Sequence, residues 1–301
     1  MNVDQGLFEE KAKTKGYVVH ALIAQALNTV RARFENPTRG PDEVLTYHNA
    51  HHTQSVICRV GKIASRMGIS DRETQLAYIA AAFHDIVRTW KLHTDFAGLA
   101  VRETNPFFDE IASAREAVHE MKQYPDFSAD SDCDLVTASI LATVVSPGEN
   151  TGSFYQPLLN KSSHPVIRVV ALADLNAAAM ASTSEAIEEV ARDGDRLFRE
   201  REMHIARTMR RIKQRSELAS IDEDDYSLRM RWAPETQMNF LIDRIKRLPA
   251  ELSTYKEALA PLLSIENIAR VRGRVFALRE LRRTMSFWDL AADMGYVIPE
   301  K

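Results

Sequence analysis

Apolar residues recur along this chain at intervals of three and four rather than two, the spacing of one helical face. Val19, Ile23, Leu27 and Val30 form such a stripe and predict a first helix over residues 7–34. It should end at the turn cluster Asn36-Pro37-Thr38-Arg39-Gly40-Pro41. Pro41, Asp42 and Glu43 then open a second helix, because a first-turn proline and acidic side chains suit a helix N-terminus. Its inner stripe is Val56, Val60, Ile63 and Met67, and Gly68 stops it. Ser70-Asp71-Arg72-Glu73 reads as a capping box for a third helix. Leu76, Ala80 and Phe83 in that helix have almost wholly apolar neighbours, which predicts a central position. Further helices fit residues 108–123 and 132–145. A loop rich in Gly, Asn, Ser and Pro spans 146–163, and His164-Pro165 opens a helix carrying Val166, Val170 and Ala173. The rest is helical by pattern, with breaks expected near Asp222-Glu223-Asp224-Asp225, Pro234 and Pro249. Valine and threonine form no period-2 run bounded by turns, so the expected fold is all-α.

Composition narrows the class. The 301 residues are 45% hydrophobic and 27% charged, which suits a core-forming chain and excludes disordered, collagen-like and low-complexity types. A net charge of −3 excludes a uniformly basic coat for nucleic acid. Cys58 and Cys133 form no CxxC pair, which argues against a thiolate zinc site or a disulfide framework and favours a cytoplasmic setting. Asp4, Glu9 and Glu10 have the wrong sign for a secretory leader. The longest unbroken apolar run, which ends at Phe83, falls far short of the roughly 18 residues that a membrane span needs. Near Ala191 alanine-rich sequence gives way to arginine-rich sequence. The expected organisation is a catalytic core over 1–190 and a helical extension over 191–301, the two either separate or packed as one domain.

Three features carry chemistry. His48 and His52 lie four apart on the predicted second helix, in line with Val56 and Val60, so both rings should face inward. His84 and Asp85 are adjacent at the end of the most apolar helix. Asp174 follows Val169-Val170-Ala171-Leu172-Ala173 with no basic neighbour. An unpaired carboxylate in such surroundings is costly and needs a cation, a metal or an opening to solvent. Imidazoles and carboxylates converging in this way suit a divalent ion, with Zn, Mn, Ni, Fe and Mg not distinguished.

The pieces Tyr47-His48-Asn49-Ala50-His51-His52, Ala81-Ala82-Phe83-His84-Asp85-Ile86 and Ala173-Asp174-Leu175 resemble the H…HD…D signature of the HD-domain superfamily of metal-dependent phosphohydrolases. More narrowly, the chain is similar to a group of small HD proteins reading YHNxxH, FHD, an acidic stretch, LILAT and DL. The matching pieces here include residues 109–114 and Ile140-Leu141-Ala142-Thr143. The resemblance covers about residues 44–180 and implies an all-α core. It implies a metal held by His52, His84, Asp85 and Asp174, with His48 as general acid toward a leaving oxygen. Glu110 matches an acidic position that orients water or joins the metal shell, Asp85 or Glu110 could take a proton from that water, and Arg88 is a candidate phosphate contact. The family's histidine after LILAT is absent, since Val144-Val145-Ser146-Pro147 follows Thr143, and Asp109 replaces an asparagine. One metal per chain is therefore expected. His93, His119 and His164 read as surface or cap residues.

The resemblance implies hydrolysis of a small phosphorylated substrate, a phosphomonoester or nucleotide. A non-catalytic HD module binding a nucleotide or protein, and a di-iron HD oxygenase, are the competing readings. Arg196, Arg199, Arg201, Arg207, Arg210 and Arg211, and later Arg270, Arg272, Arg274, Arg279, Arg282 and Arg283, share their segments with apolar residues at helical spacing. Interleaved acids and the lack of an aromatic platform favour solvated or packed faces over a nucleic-acid surface. The spacing in the second segment also admits a homodimer through the C-terminal helices.

Overall fold

The computed structural model describes residues 3–36, 44–95, 98–105, 107–147, 154–160 and 162–300. Its elements are α1 (Val3–Phe34), α2 (Ala50–Met67), α3 (Asp71–Phe83), β1 (Trp90–Thr94), β2 (Ala100–Thr104), α4 (Phe108–Met121), α5 (Asp130–Leu141), β3 (Ser146–Pro147), β4 (Phe154–Tyr155), α6 (Pro165–Leu175), α7 (Ala177–Met180), α8 (Ser184–Ala191), α9 (Asp193–Arg201), α10 (Met203–Arg211), α11 (Ser220–Leu252), α12 (Lys256–Leu259), α13 (Ile265–Arg282) and α14 (Phe287–Asp293). The fold is all-α. Among the described residues the strands form two short antiparallel pairs, β1 with β2 and β3 with β4, which the sequence pattern does not indicate. No described helix is long and apolar enough to cross a membrane.

α3 is the central helix. Ser70 and Glu73 close the capping box at its start, and Leu76, Ala77 and residues 79–83 are all buried. It packs against α1, α2, α4, α5 and α6, so its far end, where His84 and Asp85 follow, lies deep in the molecule. α6 packs against α2, α3 and α5, and His164 caps it by accepting a hydrogen bond from the Val166 N–H. α2 buries the stripe Val56, Val60, Ile63 and Met67 and stops at Gly68, which takes the left-handed conformation (φ 65°) that favours glycine.

The helix expected over 132–145 ends at Leu141, and two further helix boundaries change. α2 begins at Ala50, and residues 46–49 form bends rather than helix. Glu200 takes the backbone N–H groups of Tyr47 and His48, and the Asn49 side chain accepts from the His52 N–H as N-cap. The expected opening at Pro41, Asp42 and Glu43 lies outside the described residues. In the second case α11 runs unbroken through Pro234 and Pro249, and Asp222 and Glu223 sit in its first turn. A proline in a helix interior costs about 3 kcal/mol. Met230, Pro234, Met238, Leu241 and Leu248 form a buried stripe along α11, and a buried apolar side chain contributes about 1.5–3 kcal/mol.

One apolar cluster runs from Val18 to Leu278 and draws residues from both sides of position 190. A second cluster, around Ile205, Met209, Met230, Phe287 and Leu290, lies wholly in the C-terminal part. The arginine-rich segments are amphipathic: α13 buries Ile268, Val271, Val275 and Leu278, as their spacing predicts. Arg282 lies inside, donating two hydrogen bonds to Asp195 (2.8 and 2.7 Å) and one to Asp293 (2.6 Å).

Candidate metal centre

Three helix ends meet at the site. Asn49 starts α2 so that His52 lies in its first turn, α3 ends beside His84 and Asp85, and α6 brings in Asp174 near its C-terminus. His52, His84 and Asp85 form a buried group that could hold a metal ion, since one ligand atom from each lies within 4.8 Å of the others. His52 Nε2 is 3.5 Å from Asp85 Oδ2 and 3.5 Å from Asp174 Oδ1. His84 Nε2 is 3.2 Å from Asp85 Oδ2 and 3.6 Å from Asp174 Oδ1. These separations exceed ordinary hydrogen bonds of 2.7–3.2 Å or sit at their upper limit. They leave His84 Nε2 and Asp85 Oδ2 buried with no hydrogen-bond partner. Such atoms are costly unless something else satisfies them, and a divalent cation bound by imidazole and carboxylate does so. The donor set therefore fits a metal.

The surroundings prepare the donors. His84 Nδ1 is 2.8 Å from the Ala81 carbonyl oxygen, which turns Nε2 toward the carboxylates. Burial pushes the His52 imidazole down to about 4, against the pull of Asp174 and Asp85, so it is neutral and able to ligate at pH 7. Burial also disfavours charge on His84, but Asp85 and Asp174 together outweigh it and raise its pKa to about 10, so this ring holds a proton that a bound cation would displace. Burial opposes ionisation of Asp85 too, yet Arg88 and His84 hold its carboxyl well below the usual range.

The other residues singled out from the sequence fall around this group. Arg88 forms an ion pair with Asp85 Oδ1, and its Nη1 is 4.0 Å from Glu110 Oε1, so the guanidinium orients carboxylates. Glu110 lies in the first turn of α4, burial raises its pKa, and its Oε2 has no partner. Asp109 accepts from the Thr89 N–H (3.1 Å) and hydroxyl (2.5 Å), which ties α4 to the segment after Asp85. His93 and His119 are exposed.

His48 stands in the bend before the cap, not on α2, but its ring still reaches the site, 5.8 Å between centroids from His52. Its Nδ1 is 2.5 Å from Oε1 of Glu200 on α9. Glu200 Oε2 accepts from the N–H groups of Tyr47 (3.0 Å) and His48 (3.1 Å). Burial opposes its charge, but His48 and these bonds keep its pKa low. Tyr47 packs on His52 with 4.6 Å between ring centroids. Glu200 was not legible in the sequence: it sits in Phe198-Arg199-Glu200-Arg201-Glu202, where it reads as one more interleaved acid. Comparison with family models, curated proteins and solved structures finds no match to this chain.

Proposed function

We propose that the protein is an HD-type, metal-dependent phosphohydrolase acting on a small phosphorylated substrate, a phosphomonoester or nucleotide. One observation carries the reading: two imidazoles and two carboxylates, in the order His52, His84-Asp85, Asp174, converge from α2, α3 and α6, and His84 Nε2 and Asp85 Oδ2 are buried there unsatisfied. On this reading all four hold one divalent ion, with Asp174 completing the buried three. When bound, such an ion lowers the pKa of water and polarises a phosphoryl oxygen.

The chain's own groups take the remaining roles. His48, with Nδ1 fixed by Glu200, keeps Nε2 free of any hydrogen bond among the described residues and uses it to protonate the leaving oxygen. Glu110, with a raised pKa and an unpartnered oxygen, accepts the proton of the attacking water. Arg88 holds Asp85 in its ligating orientation. The separate free cysteines, Cys58 exposed and Cys133 buried, support a cytoplasmic setting.

The deciding experiment measures metal per chain by elemental analysis after purification without chelator, together with phosphate release from a panel of phosphate esters. About one ion per chain with metal-dependent release supports the reading. Metal without turnover on any ester favours a binding module. No metal, even after loading, overturns the hydrolase.

A further inference from the structure

Beside the metal centre lies a cleft of about 570 Å³ between α2 and the α7–α8 segment, and His52 is among the residues lining it. This volume is within the range of small-molecule sites. Its two walls differ. Ala177, Met180 and Val190 make one side apolar, whereas α2 presents Arg59 and Lys62 on the other.

The other charged groups of the lining are already matched. His51 Nε2 is 2.7 Å from Glu189 Oε1, and Arg196 donates to Asp193 at 2.6 Å. Arg59 and Lys62 make no ion pair within 4 Å among the described residues. Arg59 donates through Nε to the carbonyl oxygen of Ala173 at 2.5 Å, so its guanidinium is anchored to the residue that precedes Asp174. Its two terminal nitrogens make no hydrogen bond within the described residues. A planar fork held by one nitrogen, with the other two open, is preorganised for an anion. Arg88 is held to Asp85 through one nitrogen, its Nη1 stands 4.0 Å from Glu110, and it lies outside this lining.

We propose that this cleft seats the substrate, an organic phosphate with a partly apolar body, and that Arg59, assisted by Lys62, grips its phosphate group. The assignment rests on reading the neighbouring centre as a phosphohydrolase site. The apolar wall favours an organic phosphate over inorganic phosphate, since an apolar body removes that wall from water.

The test uses the metal-loaded full chain with p-nitrophenyl phosphate, AMP and glycerol 3-phosphate. Affinity is read as KM where phosphate is released and as Kd by calorimetry where it is not. The first two probes should bind more tightly than glycerol 3-phosphate. Arg59→Ala should weaken binding about tenfold or more, and Lys62→Glu about threefold. Lys62 is exposed, so its reversal tests the charge without disturbing the core. Wild-type protein that binds none of the probes, or two variants that bind as wild type does, overturns the proposal. Variant-sensitive binding without phosphate release keeps the cleft and removes the hydrolase. Release with KM unmoved in both variants does the reverse.

Discussion

Glu200 holds His48 from 152 positions further along the chain, with 2.5 Å between Oε1 and the imidazole Nδ1. A carboxylate at one ring nitrogen sets the tautomer and leaves the other for chemistry. If His48 is the acid, Glu200→Gln should lower kcat about ten- to a hundredfold with metal content unchanged. Glu200→Ala should add a folding penalty of about 1–3 kcal/mol, because the Tyr47 and His48 N–H groups lose their acceptor. Steady-state kinetics, elemental analysis and denaturant unfolding of both variants check this.

Metal should stabilise the fold as well as activate it. Binding to the native state alone contributes about 2.7 kcal/mol when the free ion is at a hundred times its dissociation constant. Added Mn or Zn should therefore raise the melting temperature of chelator-treated protein. The rise should vanish in His84→Ala and in Asp85→Ala, each of which removes one of the buried donors.

Asp193 gives a pH dependence of known sign. Burial pushes its carboxyl up to about 6, with Arg196 and Arg59 opposing. Between its unfolded value near 4 and this value the native state binds the extra proton, so this group's contribution to stability falls as pH rises through that window. Asp193→Asn should then gain stability relative to wild type from pH 4 to pH 7. Denaturant unfolding of both proteins at several pH values measures the difference, and a stability of the variant minus that of wild type that falls toward pH 7 contradicts it.

Arg282 is a structural cation rather than a surface one. It bridges Asp195 and Asp293, and Arg192 also donates to Asp293 at 3.0 Å. Removing one member of a buried ion cluster costs about 3–5 kcal/mol, because the remaining charges stay buried. Arg282→Met should lower unfolding stability by that amount. Exposed Arg283→Met should change it by less than about 0.5 kcal/mol.

The parts legible in the sequence were those with short-range signatures. The Ser70 capping box, the Gly68 stop and the α13 stripe each depend on residues within a turn or two, and each is where its pattern puts it. His52, His84 and Asp85 were legible because inward-facing polar residues on apolar helices stand out individually. The start of α2 was not, because Glu200, far away in sequence, takes the N–H groups of Tyr47 and His48. Nor was the continuity of α11 through two prolines, which depends on packing that local propensity does not register. Arg59 gave no signal, since its anchor, the Ala173 carbonyl, is a backbone atom 114 residues away.

The separation between His48 and Glu200 also fixes an order of events during synthesis. A ribosome delivers His52, His84, Asp85 and Asp174 before it delivers α9. Contacts that span so much chain close late, after the loop entropy between them has been overcome. The four proposed ion-binding donors thus come from the earlier part of the chain, while the group that aims the His48 ring comes only with the later part. Docking of α9 onto the Tyr47-His48 bend is therefore a late event in folding, and it is what fixes the His48 ring.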